Sequence, residues 1–348
     1  MITIVRKVND VSDKEYNEIF RQAAKIIQDG GLVAFPTETV YGLGANALSE
    51  QAAKNIYFAK GRPSDNPLIV HIESKDYLDY VVSEIPNCAK VLIDKFWPGP
   101  LTLIFKKKDT VSKQVTAGLD TVALRCPSNK IALDLIRFSK VPIAAPSANT
   151  STKPSPTKAE HVLEDLNTKV DMIIDGGQTE FGLESTIVDV SCGYPVLLRP
   201  GSITLEMLRE VVSGIKIADK IIDDASPKAP GMKYKHYSPK AKVTIISGNA
   251  QSVASFIKKS IKDDVNTKSG IMVTEETLKF YSDFSDVISL GSRLNPESIA
   301  KNLFDTLRQF DYNNVEKVYA EGFSEEGIFL AIMNRLKKAA EYRVIEVD

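Results

Sequence analysis

The sequence predicts an α/β protein in two domains, and three observations support this. The chain has 348 residues, enough for two domains of ordinary size. Before residue 224, short apolar runs repeatedly end in cations or hydroxyls beside glycine or proline. Beyond residue 243, strand and helix patterns alternate, which predicts a small parallel sheet covered on both faces. The predicted domains are residues 1–223 and 243–348, joined by a linker at 224–242.

Composition places the chain among soluble globular proteins. Hydrophobic residues make up 43% and charged residues 26%, and a net charge of -1 gives no overall attraction to nucleic acid or membranes. Cys88, Cys126 and Cys192 are odd in number and far apart, which favours free thiols in a reducing compartment. No apolar run approaches the length of a membrane span. We therefore expect a cytoplasmic protein without membrane contact.

The first domain is organised around residues 30–47. A helix is expected after Ser12, because Glu15 three residues later completes a capping-box pattern, and a glycine pair ends that helix. Residues 32–35 then form a short apolar strand. The polar segment from Thr37 to Tyr41 follows it and leads into two glycines at 42 and 44. Such a segment indicates either a ligand-binding turn, where hydroxyls and bare backbone approach a guest, or a structural turn.

The remaining elements follow from apolar periodicity and end signals. In the first domain, strands are predicted at 2–5, 68–72, 101–105, 121–124, 142–145, 172–175, 187–190 and 196–198, and helices at 49–59, 131–138, 158–166 and 205–212, with two helical segments between 73 and 96. In the second domain, strands are predicted at 243–246, 270–273, 287–290, 318–320 and 343–347, and helices at 252–261, 297–310 and 328–340.

Hydroxyls, amides and arginines follow several strands of the first domain. These are Thr37 and Thr39, Arg125, Ser147 and Asn149, Ser185 and Thr186, and Arg199; Lys60 and Arg62 lie on a loop. In open α/β sheets ligands bind where strands end, and arginine suits carboxylates and phosphates. Taken singly, each residue has an ordinary structural explanation. An arginine or lysine can be a surface charge, and a serine or threonine can be a turn former. His71 can be a core histidine, and Ser155 and Thr157 can cap the helix predicted near residue 158. Their co-occurrence predicts a site for a polyanion together with a small polar molecule.

Other chemistries have weaker support in the sequence. No P-loop, no G-x-S-x-G elbow and no zinc-binding spacing is present. Residues 42–47 do fit a dinucleotide G-x-G-x-x-A pattern, and a nicotinamide-dependent oxidoreductase is the alternative that this pattern suggests. The pattern requires glycines that open a helix, whereas Ser49 is predicted to cap that helix later.

Several motifs together resemble one known family. FPTETVYGLG at 35–44, Lys60-x-Arg62, FWPGPLT at 96–102, Ser147-x-Asn149, ESTIVD at 184–189 and LLRPG at 197–201 strongly resemble the YrdC-type threonylcarbamoyl-AMP synthases. The linker APGMKYKHYSP at 229–239 and the extra α/β domain resemble the long form of that enzyme. The resemblance implies a first domain with a twisted mixed sheet and a large, positively lined cavity. It also implies a smaller Rossmann-like second domain with a parallel sheet.

The resemblance also implies an activity. L-threonine, ATP and bicarbonate (or CO2) would give threonylcarbamoyl-AMP and pyrophosphate, the first step of tRNA threonylcarbamoyladenosine biosynthesis. A separate tRNA threonylcarbamoyl transferase complex would use the product, and a weak direct contact with tRNA stays open. Mg²⁺ is expected on the ATP phosphates, held through water rather than by protein side chains. The alternative from another class is an RNA-binding module without catalytic activity, although no aromatic RNA-binding signature is visible.

By the same resemblance, residues of this chain receive roles. Lys60 and Arg62 would be catalytic and would hold phosphates and the carbamate. Arg125 would pair with the threonine carboxylate, and the other expected threonine-binding residues are Thr37, His71, Ser147 and Ser185. ATP would be held by Lys60, Arg62, Asn66, Thr121, Ser147, Asn149, Ser155, Arg199 and Tyr237. The linker run with Lys233, Lys235, His236 and Tyr237 would close over bound phosphates as a lid; a solvated tether is the alternative.

Overall fold

The computed structural model describes residues 2–218 and 236–348. These residues form two compact units. One holds residues 2–151, 155–180 and 184–218, and the other holds residues 152–154, 181–183 and 236–348. Residues 219–235, which include most of the predicted linker with Lys233 and Lys235, lie outside the described residues.

The first unit is built on a mixed sheet. Its strands are Ile4–Lys7 (β1), Val33–Pro36 (β2), Tyr41–Asn46 (β3), Ile69–His71 (β4), Leu101–Lys106 (β5), Thr121–Arg125 (β6), Ile143–Ala144 (β7), Met172–Asp175 (β8), Thr186–Asp189 (β9), Val196–Arg199 (β10) and Lys216–Ile217 (β11). Its helices are Asp13–Gln28 (α1), Glu50–Lys60 (α2), Leu78–Val81 (α3), Asn87–Phe96 (α4), Lys130–Ser139 (α5), Ala159–Leu166 (α6) and Leu205–Val211 (α7), with a short 3₁₀ helix at Lys75–Tyr77. Within the described residues the strand order is β1-β8-β2-β3-β7-β4-β6-β5-β9-β10-β11.

The second unit has a smaller sheet. Its strands are Lys242–Ser247 (β12), Ser269–Val273 (β13), Val287–Ser289 (β14), Lys317–Glu321 (β15) and Val344–Glu346 (β16), and its helices are Ala250–Asp263 (α8), Pro296–Tyr312 (α9) and Gly327–Ala339 (α10), with a 3₁₀ helix at Leu278–Tyr281. The strand order is β14-β13-β15-β12-β16, and the paired strands in the described part are parallel. The predicted α/β class, with one mixed and one parallel sheet, is confirmed.

Several local signals act as the sequence predicts. Ser12 caps α1 by accepting a hydrogen bond from the backbone N–H of Glu15, and Ser49 caps α2 by accepting one from Ala52. The apolar stripe of α1 packs with α5 on β2, where Phe20, Ile27 and Phe35 are fully buried. Burial of each such side chain contributes about 1.5–3 kcal/mol. No described helix has the length and hydrophobicity needed to cross a membrane.

The main difference from the prediction is β3. The sequence predicts no strand after the polar segment that begins at Thr37, but Tyr41–Asn46 is a buried strand antiparallel to β2. Gly42 and Gly44 lie inside this strand, and a Cβ built on Gly44 would meet the Phe35 ring at 2.7 Å. The two glycines therefore make room for an aromatic ring of the neighbouring strand. They do not open a helix, which weighs against the dinucleotide-binding interpretation.

Candidate active site

The predicted site residues do not all lie at one edge of the sheet. His71 and Arg125 end the parallel strands β4 and β6 and are in register with each other. Ser147 follows β7, which runs antiparallel to β4, so it lies beyond the opposite edge. The expectation that the site forms where strands end therefore holds only in part. The candidate residues extend across the sheet, and side-chain contacts bring them together.

Arg125 is the centre of one group of contacts, which we call the arginine cluster: Thr37, Glu38, Thr39 and Arg125. The Arg125 guanidinium is 3% exposed. Its Nη1 donates to Thr39 Oγ1 at 2.9 Å, and its Nη2 lies 2.9 Å from Glu38 Oε1. Thr39 Oγ1 is also 2.7 Å from Thr37 Oγ1. The turn between β2 and β3 thus fixes the arginine side chain in place.

The charges in the arginine cluster are set by burial and by this ion pair. Burial by itself raises the pKa of Glu38, but Arg125 and hydrogen bonds to the carboxylate outweigh it and lower the pKa below its ordinary value. Burial and the positive charge of Arg125 lower the pKa of His71 to about 3, so its imidazole is neutral. His71 Nδ1 and Arg125 Nε are buried and have no hydrogen-bond partner among the described residues. The described part of the chain therefore leaves two buried polar atoms unsatisfied in this cluster and beside it.

A second group, the lysine cluster, consists of Lys60, Ser147 and Asn149. Lys60 is the last residue of α2 and is 2% exposed. Its Nζ donates to the backbone oxygens of Ser147 and Asn149, the latter at 2.5 Å. Burial and the nearby charge of Arg62 lower the pKa of Lys60 well below its ordinary value. Lys60 therefore holds the loop that presents Ser147 and Asn149, whose side chains hydrogen-bond each other at 2.6 Å.

A third group, the serine cluster, consists of Thr102, Ser185 and Arg199. Ser185 Oγ lies 2.7 Å from Thr102 Oγ1 and accepts a hydrogen bond from Arg199 Nη2 at 3.1 Å. Arg199 Nε donates to the Ser185 backbone oxygen at 3.0 Å, and Arg199 is 5% exposed. The alternative that Arg199 is a solvated surface charge is therefore wrong.

Ser155 has a different role from the predicted one of capping α6. Its Oγ donates to Glu184 Oε1 at 2.5 Å, both residues are buried, and no side chain caps α6. Thr157 is also buried, and its backbone N–H donates to His161 Nδ1 at 3.2 Å. Glu184 directly precedes Ser185 in the sequence, so its hydrogen bond links Ser155 to the serine cluster.

Backbone pairings bring the three clusters together. β6, β5 and β9 are neighbours, so Arg125, Thr102 and Ser185 lie on adjoining strands or beside them. The Tyr41 N–H donates to Pro156 O at 2.9 Å, and Gly42 forms a β-bridge with Ser147. The turn of the arginine cluster is thus tied to the segment that carries Ser155 and to the lysine cluster. These contacts support one site for residues that the sequence separates widely.

Arg62 and Asn66 lie on the loop after α2. Arg62 is half-buried, and its Nη2 donates to the backbone oxygens of Asn66 and Pro67, each at 3.2 Å. Asn66 is 1% exposed, and its Oδ1 is buried without a hydrogen-bond partner in the described part of the chain. The Asn66 amide is therefore a third buried group whose hydrogen-bonding capacity the described residues leave unsatisfied.

Thr121 and Tyr237, two predicted ATP-binding residues, belong to none of these clusters. Thr121 begins β6 and Arg125 ends it, so the two are about 13 Å apart along one face of the strand. Tyr237 belongs to the second unit, where its ring centroid is 5.1 Å from that of Phe304. The ATP-binding roles of Thr121 and Tyr237 stay predictions.

Sequence reasoning missed three buried partners of the predicted residues: Glu38, Thr102 and Glu184. All three lie inside the motifs that the sequence singled out. These residues are polar but lie close to apolar residues in the sequence, which indicates that they could be buried. A buried carboxylate or hydroxyl needs a partner, so the sequence could have pointed to them. No group of three or more histidine, cysteine or acidic side chains that could hold a metal ion occurs within residues 2–218 and 236–348.

Comparison with known proteins gives a consistent result. A family model named for Sua5, YciO and YrdC and described as "Telomere recombination" matches residues 25–201. A second model, described as the C-terminal domain of threonylcarbamoyl-AMP synthase, matches residues 203–341. The chain is 50% identical to the threonylcarbamoyl-AMP synthase of Pyrococcus abyssi over 333 residues, 94% of this chain and 95% of that protein. The Bacillus subtilis enzyme of the same name is 50% identical over 328 residues, 93% of each chain.

A solved structure of a related protein supports the same family relationship. The crystal structure of P. abyssi Sua5 complexed with L-threonine superposes with a TM-score of 0.91 at 46% sequence identity. The match covers 99% of this chain and 100% of that chain.

Proposed function

Because the chain belongs to the Sua5/YrdC family of threonylcarbamoyl-AMP synthases, we propose that it condenses L-threonine, bicarbonate or CO2, and ATP. The products are threonylcarbamoyl-AMP and pyrophosphate. The alternative hypothesis of an RNA-binding module without catalytic activity is wrong, because the relatives at 50% identity are named as enzymes.

The buried guanidinium of Arg125 is the observation that carries this proposal. Two of its nitrogens face Thr39 and Glu38, while its buried Nε has no partner among the described residues. A buried N–H without an acceptor is costly, and a carboxylate is the acceptor that arginine binds best. We assign the threonine carboxylate to Arg125, since P. abyssi Sua5 has been crystallised with L-threonine.

Three other predicted threonine-binding residues would act beside Arg125: His71 is in register with it, Thr37 belongs to the arginine cluster, and Ser185 precedes a nearby strand. His71 is neutral and has a buried Nδ1 without a described partner, so it can exchange a hydrogen bond with the amine or carbamate. Ser185 is held by Arg199 and Thr102 on an adjoining strand, and Thr37 is held by Thr39. These hydroxyls need no reorientation when the substrate arrives, which is how preorganised sites lower a barrier.

The chemical step needs positioning and charge rather than a protein nucleophile. Threonine's amine adds to CO2 to give a carbamate and loses a proton. A carbamate oxygen then attacks the α-phosphorus of ATP, the bond from that phosphorus to the bridging oxygen of the β-phosphate breaks, and pyrophosphate leaves. Arg62 and Arg199 would offset the negative charge that develops on the phosphates. Lys60 would act through the Ser147–Asn149 loop that it holds, and Ser147 and Asn149 would contact ATP.

Mg²⁺ is proposed to arrive with ATP. The ion would be held by phosphate oxygens and water rather than by protein side chains. When bound, the ion would neutralise phosphate charge and favour departure of pyrophosphate. The side chains of this chain would position the phosphates around it.

Pyrophosphate release tests this function directly. We expect release from ATP that requires both L-threonine and bicarbonate, and release without threonine would contradict the reaction. Lys60→Ala and Arg62→Ala should each lower turnover, and wild-type rates would remove those residues from the site. The exposed Lys25, paired with Asp29 at 2.8 Å, provides the matched control Lys25→Ala, which should leave the rate unchanged.

A further inference from the structure

The second unit contains a cavity that the reaction above does not use. It has a volume of about 340 Å³ and is lined in part by Ile246, Gly248, Ala250, Arg293 and Glu321. This volume lies within the range of cavities that bind small molecules. The lining residues end strands β12 and β15, follow them, or lie in the loop after β14, so the cavity is at the carboxyl edge of the parallel sheet.

The topology of the sheet singles out this position. β12 and β15 are neighbours. From β12 the chain passes through α8 to β13 on the far side of β15, whereas from β15 it passes through α10 to β16 on the far side of β12. The two connections leave in opposite directions, which creates a crevice above the strand ends. Ligands of open parallel sheets bind at such points.

Glu321 provides the second, independent observation. It lines the cavity, and its side chain is 3% exposed. Its Oε2 accepts from Thr277 Oγ1 at 2.8 Å and lies 3.2 Å from Arg293 Nη2. Its Oε1 is buried with no hydrogen-bond partner among the described residues. A buried carboxylate oxygen in this state requires a donor, and an ammonium group is the strongest one available.

The remaining lining has matched charges. The acidic groups are Glu276 and Glu321, and the basic groups are Lys279 and Arg293. The N-terminus of α8 begins at Ala250 on the cavity wall, and helix N-termini attract negative groups. Glu276 is already held by the Ser292 hydroxyl at 2.6 Å and the Arg293 N–H at 2.8 Å. A guest that brings one positive and one negative group, with no net charge, matches this lining.

We propose that this cavity binds a small zwitterion of the α-amino-acid class. Its ammonium group donates to Glu321 Oε1, and its carboxylate faces the N-terminus of α8. Its side chain packs on the apolar part of the wall, formed by Ile246, Val253 and Phe280. All residues that line this site belong to the second unit.

Isothermal titration calorimetry on the full chain tests the proposal. The probes are the proteinogenic L-amino acids other than L-threonine, which the proposed active site also binds; inorganic phosphate and nucleoside monophosphates form a separate arm. We expect at least one amino acid to bind with one-to-one stoichiometry. Glu321→Gln should weaken that binding at least about tenfold, which corresponds to about 1.4 kcal/mol. Glu275→Gln, at an exposed carboxylate that is not part of the lining, should bind as the wild type does.

Ala250→Phe keeps the test decisive if Glu321→Gln does not fold. Ala250 is exposed at the start of α8, so a larger side chain there fills the cavity mouth without disturbing a buried group. This variant should abolish binding while pyrophosphate release stays at the wild-type rate. The proposal is overturned if no amino acid binds, if Ala250→Phe binds as the wild type does, or if only phosphate or nucleotides bind.

Discussion

Replacing Arg125 with lysine should selectively weaken the binding of threonine. The substitution keeps the positive charge beside Glu38 but removes the forked guanidinium, including the buried Nε that has no described partner. One hydrogen bond to a charged group contributes about 1.5–3 kcal/mol. Its loss should therefore raise the KM for L-threonine roughly 10- to 150-fold, because 1.4 kcal/mol corresponds to a factor of ten.

The assay is pyrophosphate release at varied L-threonine with ATP saturating, and then the reverse. The KM for ATP should change little, since Arg125 is assigned to the amino acid and not to the nucleotide. Arg137→Lys is the matched control, because Arg137 is an exposed arginine whose Nε pairs with Glu73 at 2.8 Å. An unchanged KM for L-threonine would refute the assignment, and an equal rise in both KM values would show that Arg125 serves the whole site.

Three further predictions concern Glu38, Gly44 and Tyr237. Glu38→Gln leaves Arg125 buried without its counter-ion and should lower the free energy of unfolding by about 3–5 kcal/mol in urea titrations. Because the pKa of Glu38 is lowered in the folded state, its ion pair with Arg125 stabilises the protein at pH values above 4.5, the ordinary pKa of glutamate. The difference in free energy of unfolding between the wild type and Glu38→Gln should therefore shrink as the pH falls below 4.5. A difference that stays constant with pH would contradict this. Gly44→Ala places a methyl group 2.7 Å from the Phe35 ring and should cost about 1–3 kcal/mol, measured by thermal unfolding; an unchanged midpoint would mean that the ring moves freely. Tyr237→Ala should raise the KM for ATP if the lid hypothesis is right, whereas unchanged kinetics would favour a tether.

Most secondary structure could be predicted because it depends on neighbours in the sequence. The caps at Ser12 and Ser49 and the alternation in the second domain use contacts a few residues apart. β3 escaped prediction because its two glycines and its polar beginning are typical of a turn. The glycines are needed because the ring of Phe35 on the adjacent strand leaves little room for a side chain, and that contact exists only once β2 and β3 have paired.

The candidate site residues could be proposed from the sequence, since their motifs lie in short, unusual runs, and their roles stay predictions. Ser155 shows where such reasoning ends. A serine four residues before the first residue of a helix is typical of a cap, yet its hydroxyl donates to Glu184, 29 residues away. No local pattern distinguishes these two uses of a hydroxyl, because they differ only in which distant group comes near.

The sequence by itself determined the fold class, the two-domain organisation and the family, since periodicity, caps and contiguous motifs are properties of neighbouring residues. Only the tertiary structure decided how the functional groups meet. It showed that Ser147 and Arg125 lie toward opposite edges of the sheet, because β7 runs antiparallel to β4. It also showed that Thr39, in the turn between β2 and β3, accepts a hydrogen bond from the Arg125 guanidinium. It also placed Glu321, whose Oε1 has no hydrogen-bond partner among the described residues, in the wall of a cavity. Burial and partnership arise from packing between distant segments, and a linear chain does not specify them residue by residue.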